Sequence, residues 1–150
     1  MGYLGIPIEE SLDEEGFFRT NDGGYLDKEG RLFWEGRLND IIKTGGANVS
    51  PLEIDDVIRS CPGVKVNQTV GVADELFGEL VVSCVVRHDG ELVSEDDIRQ
   101  FAKLKLASYK VPRRVLFFAE DELQTTGSSK IKTAELRQLA SERIAAESTQ

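Results

Sequence analysis

Histidine and cysteine are nearly absent: the chain has one of the first, His88, and two of the second, Cys61 and Cys84. A structural zinc site needs four ligands, and this inventory does not supply them, so no residue is assigned to a metal. Cys84 sits in an apolar run and Cys61 precedes a proline, which reads as two buried thiols and not as half of a redox motif. His88 stands beside Asp89-Gly90 at the end of that run, as a surface residue flanking a turn. Long apolar runs are missing too. None reaches the roughly 20 residues that a membrane-spanning helix needs. The first residues, Met1-Gly2-Tyr3-Leu4-Gly5-Ile6-Pro7, lack the basic start and apolar core of a secretory signal, so a soluble cytoplasmic protein is expected. Basic charge is scarce, with 18 Lys and Arg against 27 Asp and Glu, a net charge of -9 and a pI near 4.7. Nucleic-acid binding depends on a basic surface and is therefore not expected.

What is present is globular. The 150 residues are 40% hydrophobic and 30% charged, enough for one compact domain and a short extension. The early part is rich in glycine and acidic residues and holds one hairpin. In it, Tyr25-Leu26 and Leu32-Phe33-Trp34 flank the turn Asp27-Lys28-Glu29-Gly30. A stretch with one hairpin cannot build its own core, so it needs something else to pack on. Phe33 and Trp34 are assigned to that packing.

From Leu38 the pattern becomes regular. Asp40-Ile41-Ile42-Lys43 and Ala47-Asn48-Val49 flank Thr44-Gly45-Gly46, a second hairpin signal. Ser50-Pro51-Leu52-Glu53 predicts a helix start, with Ser50 as cap, Pro51 in the first turn and Glu53 closing a capping box. Ile54, Val57, Ile58 and Cys61 give it one apolar face, and Pro62-Gly63 ends it. Residues 64–72 predict a strand, and the valine-rich run 80–86 a buried central strand. A second helix starts at Ser94, with Ile98, Phe101 and Ala102 inward. A third strand follows at 115–118 and a polar loop at 125–129. A last helix is capped by Thr133 and carries Leu136, Leu139, Ala140 and Ile144 inward. The expected fold class is α+β, a small sheet covered by helices.

Four segments carry chemistry. The first is Gly16-Phe17-Phe18-Arg19-Thr20-Asn21-Asp22-Gly23-Gly24-Tyr25-Leu26. The second is Gly36-Arg37-Leu38-Asn39-Asp40-Ile41-Ile42-Lys43-Thr44-Gly45-Gly46-Ala47-Asn48-Val49-Ser50-Pro51-Leu52-Glu53-Ile54. The third and fourth are Tyr109-Lys110-Val111-Pro112 and Thr126-Gly127-Ser128-Ser129-Lys130-Ile131. In order and spacing they resemble the W-F-x-T-G-D-x-G-Y, hinge, Y-K-x-P and T-G-K-[IL] motifs of the adenylate-forming superfamily, which includes acyl-CoA synthetases, luciferase and adenylation domains. The chain resembles the C-terminal lid domain of such an enzyme. The resemblance implies residues 1–36 as the tail of a large N-terminal domain, 37–39 as a hinge and 40–150 as the lid.

It also implies a two-step reaction: a carboxylate displaces pyrophosphate from ATP to give an acyl-adenylate, and a thiol such as CoA then takes the acyl group. In that scheme Lys130 is catalytic, a compact positive charge on a flexible stem suited to a transferring phosphate. Asp22 holds the ribose hydroxyls of ATP, and its alternative is an Asx-turn residue. Arg37 meets the same ribose, and its alternative is a surface ion pair with Asp40 or Glu35. Asn39 is the pivot, standing where the family has Asp or Lys. Gly45 and Gly46 border the tunnel for the CoA arm. Lys110 and Arg113, with Arg114, meet the CoA phosphates or form a plain solvated face. Asn21 and Ser129 stand where the family has glycine. ATP, CoA and Mg2+ are the implied cofactors, with Mg2+ held mainly by the large domain. The implied partner is the chain's own large N-terminal domain, and a homodimer is possible. The family's phosphate loop and acyl pocket are not in this sequence, so a piece of a longer enzyme is expected, inactive alone. Two other readings stay open: a stand-alone lid-like binding module, and an enzyme that loads a carrier-protein thiol.

Overall fold

The structure is a computed structural model that describes residues 12–18, 20–123 and 132–148. The chain divides into two compact units, one ending at Asn39 and the other beginning at Asp40.

The first unit is built on one antiparallel hairpin, β1 (Asp22–Leu26) and β2 (Leu32–Arg37). Asp27 shapes the turn. Its carboxylate accepts from the N–H groups of Glu29 and Arg31, both at 2.9 Å, and from Arg31 Nε at 2.7 Å. These bonds hold the Asp27 carboxyl below its ordinary pKa. Tyr25 and Phe33 stack across the strands with ring centroids 5.1 Å apart. Much apolar surface stays open: Phe17, Leu26, Leu32 and Trp34 are each more than half exposed. Packing thus claims Phe33 through Tyr25, while Trp34 remains 58% exposed.

The second unit is a sheet with helices on both faces. β3 (Ile42–Thr44) and β4 (Ala47–Val49) form a hairpin. α1 (Pro51–Arg59) follows, then the long antiparallel pair β5 (Val64–Asp74) and β6 (Gly78–Arg87). α2 (Glu95–Lys103), β7 (Arg114–Phe117) and α3 (Thr133–Ser148) complete it. β6 pairs with β5 along its whole length. Its other edge meets β3 at Gly78 and, further along, β7 in parallel register from Val82 to Val85. The valine-rich run is therefore the buried central strand its composition predicts, and the fold is α+β.

Side-chain alternation along β6 divides the apolar residues between two cores. Val81 and Val85 join Ile42, Val49, Ile54, Ile58, Ile98 and Val115 under α1 and α2. Val82, Cys84 and Val86 join Val70, Val72, Leu116 and Leu136 under α3. Cys61 lies in the first core and Cys84 in the second, both as free thiols. Burial pushes Cys84 up to about 12, so it stays a neutral thiol. His88 is exposed beyond the end of β6. Among the described residues no helix is long and apolar enough to cross a membrane.

Three local expectations are corrected. Ser50 has the extended N-cap backbone but makes no side-chain cap bond. The partner that would complete the box, Glu53, is drawn instead to Lys110 Nζ at 2.5 Å. Thr133 is the first residue of α3 and not its cap, and its hydroxyl accepts from Gln68 Nε2 at 3.1 Å. Leu139 is 38% exposed, because α3 buries a narrow i, i+4 stripe of Leu136 and Ala140, with Ile144 partly covered. By contrast Ser94 caps α2 in full: its hydroxyl accepts the Asp97 N–H, and the Asp97 carboxylate accepts the Ser94 N–H.

Leu136 is 1% exposed and anchors α3 to its face of the sheet. Leu136→Ala is expected to cost about 2–5 kcal/mol, read as a lower urea midpoint at unchanged slope.

Candidate functional site

The sequence-predicted site residues fall on both units. In the first, hairpin register sets Asp22 directly opposite Arg37, with Arg37 Nε 3.9 Å from Asp22 Oδ1. An ion pair is the alternative expected for Arg37, and its partner here is Asp22 and not Asp40, while the Glu35 side chain lies outside the described residues. The Asp22 N–H donates to Thr20 Oγ1 at 3.2 Å, so the local turn bond is made by threonine and the carboxylate faces the arginine. Asn21, where the resembling motif has glycine, takes φ +58°. Asparagine is among the few side chains that tolerate this region, so the turn that aims Asp22 survives the exchange. Next to the pair, Gly23 lies opposite Gly36, and both strands present bare backbone there. A register shift between Gly23 and Gly24 sets Gly24 against Trp34 and leaves Glu35 as the extra residue of a bulge. A carboxylate beside a guanidinium can accept from a diol while the arginine donates to it.

In the second unit, Gly45 and Gly46 form the β3–β4 turn with φ of +55° and +82°. The Gly45 N–H donates to the Phe77 carbonyl at 2.9 Å, which ties the turn to the β5–β6 loop. A cleft of about 480 Å³ opens beside this turn, lined by Gly45, Phe77, Arg99, Lys103, Tyr109 and Arg113 among others. Among the described residues, none that lines it is acidic. The Arg113 guanidinium lies 3.8 Å from the Phe77 ring centroid, and its backbone N–H donates to the Val81 carbonyl. Arg99 Nε donates to the Pro112 carbonyl at 3.2 Å. Its ion pair with the well-exposed Asp96, at 3.8 Å, is screened by solvent and leaves the cleft basic.

Of the residues singled out from sequence, Gly45 and Arg113 share this cleft and Gly46 completes its turn. Lys110 is turned away to Glu53, and Arg114 is held by Glu95 and Glu147. Asn39 lies in a single 3-10 turn, Leu38–Asp40, as the last residue of the first unit. Lys130 lies outside the described residues, as do the loop glycine Gly127 and Ser129. Sequence reasoning missed Phe77, Arg99 and Lys103 as site residues. Arg99 and Lys103 are spaced i, i+4 on α2, which was their one available signal. Among the described residues no group of three or more His, Cys, Asp or Glu comes together as a metal site.

The model of the AMP-binding enzyme C-terminal domain family matches residues 53–130. Oxalate–CoA ligase of Arabidopsis thaliana is 42% identical over 132 residues, 87% of this chain and 25% of that protein. The 2-succinylbenzoate–CoA ligase of Bacillus cereus is 41% identical over 86% of this chain and 26% of its own length. Among solved structures, ATP-bound MatB from Rhodopseudomonas palustris superposes with a TM-score of 0.80 at 33% identity, over 89% of this chain and 26% of that one. The chain thus spans about a quarter of the length of the relatives it matches.

A Cβ on Gly24 would stand 2.4 Å from the Phe33 carbonyl oxygen, a backbone atom with no room to give. Gly24→Ala is expected to break the bulge and separate Asp22 from Arg37, seen as loss of the cross-strand NMR contacts of β1 and β2. The α1–α3 unit should keep its own contacts.

Proposed function

Because the chain belongs to the adenylate-forming superfamily, as its AMP-binding enzyme C-terminal domain, we propose that it forms the mobile lid of an acyl-CoA ligase. That enzyme joins a carboxylic acid to ATP as an acyl-adenylate and hands the acyl group to CoA. The observation that carries this reading is the cleft beside the Gly45-Gly46 turn, whose charged lining residues, among those described, are all basic. It has the charge for a phosphate-bearing thiol and a turn without side chains, past which an extended arm can approach backbone.

The roles divide by step. In the first, the acid's carboxylate oxygen attacks the α-phosphate, and pyrophosphate leaves with the electron pair of the broken P–O bond. Lys130 supplies positive charge to the phosphate oxygens as charge builds there. Asp22 and Arg37 hold the ribose, and their 3.9 Å spacing supports a shared grip on two neighbouring hydroxyls. In the second step the thiol sulfur bonds to the acyl carbon and AMP departs. Arg113 then meets the acceptor's phosphates, with Arg99 and Lys103 beside it in the cleft. Lys110 would first have to leave Glu53, so the structure favours Arg113 for this role. Asn39, at the boundary of the two units, is the pivot between steps. Mg2+ is assigned to residues of the upstream domain on the family resemblance alone.

The relatives named above are ligases of two dissimilar acids, yet both match this chain at similar identity. That supports a part devoted to nucleotide and acceptor, with acid choice made elsewhere in the enzyme.

In the full-length enzyme, Lys130→Ala is expected to slow acyl-adenylate formation by about 100-fold or more while leaving thioester formation from pre-made acyl-adenylate nearly unchanged. Arg113→Ala should do the reverse, raising KM for CoA with adenylation intact. Equal loss of both half-reactions in each variant would defeat these assignments.

A further inference from the structure

Asp55 projects from α1 into the core beneath that helix, and none of the roles above uses it. It is 7% exposed. Asn67 Nδ2 of β5 donates to its Oδ1 at 3.0 Å, and Thr69 is a neighbour on the same strand. Thr69 Oγ1 in turn lies 2.8 Å from Ser83 Oγ on β6, where either oxygen can donate. The remaining oxygen of the Asn67 amide, itself buried, has no partner among the described residues.

The charged groups around Asp55 do little for its ionised form. On α1, Arg59 attracts it but is engaged with Asp56 at 3.4 Å, and Asp56 repels it. β5 and β6 present the neutral Asn67, Thr69 and Ser83. α2 contributes Ile98, Phe101 and Ala102 to the shared core. Lys105 reaches the end of α1 at Ser60 Oγ, 3.3 Å away. Cys84, whose thiol feels the Asp55 charge, lies in the opposite core.

We propose that Asp55 is a proton-operated latch, which holds α1 on the sheet when neutral and loosens it when ionised. Ionised, the carboxylate is cut off from water and has no ion pair among the described residues; neutral, it sits in the core at little cost and keeps the bond from Asn67. Burial raises the Asp55 pKa from 3.8 to about 7, against the opposing influence of Thr69 and Arg59. A carboxyl raised on folding binds more protons folded than unfolded. Its contribution to stability is therefore greatest below the unfolded pKa, is lost as pH rises from there, and is fully lost above about 7. Such a latch works in the folded chain whether or not the ligase reading holds.

The test is the urea unfolding of this chain and of Asp55→Asn from pH 5 to pH 8. The folding constant of the wild type, divided by that of the variant, should fall about tenfold per pH unit up to pH 7 and then level off. Parallel curves would overturn the latch. A second measurement, needing no variant, is a carbon-13 NMR titration of the Asp55 carboxyl. A midpoint near 7 is expected, and one in the ordinary carboxylate range would overturn the proposal even if Asp55→Asn failed to fold.

Discussion

β6 is the strand on which the second unit turns. It is hydrogen-bonded to β5 on one edge and to β3 and β7 on the other, and its side chains feed two separate cores. A strand covered on both faces tolerates few polar groups. The exception, Ser83, meets its need within the sheet through Thr69. β6 also sets the cleft: the β5–β6 loop brings Phe77 to the Gly45-Gly46 turn, and the Val81 carbonyl fixes the backbone of Arg113. The basic cleft is therefore a consequence of how neighbours dock on this one strand.

The order of helices and strands was legible because each element has a period that matches its burial. The valine run of β6 and the Ile54-Ile58 face of α1 leave little choice of partner. What escaped was decided by contacts far along the chain. Nothing near Ser50 reveals that Glu53 will be drawn to Lys110 instead of closing the cap. Nor does the sequence near Thr133 reveal that its hydroxyl will serve Gln68 on a strand. Leu139 was misplaced for a different reason: a helix lying on one sheet face buries one row of side chains, and a residue at i+3 falls to its flank.

The same division runs through the site. The motif residues Asp22 and Arg37 meet because the hairpin register, bulge included, puts them opposite one another. Motif spacing carries that information in compressed form. The cleft is assembled from a turn, a loop, a helix and a strand entrance, and no local pattern encodes their convergence. Asn21 joins the two cases. It departs from the motif in sequence yet keeps its backbone geometry, since what the turn requires is a left-handed φ and not glycine as such.

The placing of the two cysteines on opposite sides of the sheet has a practical side. Each thiol is shielded by a different helix layer and held protonated by burial. They cannot bridge without the sheet coming apart, so oxidation does not staple the folded chain. A thiol-reactive dye would instead act as a pair of independent clocks, with Cys61 timing the lifting of the α1 and α2 side and Cys84 that of α3.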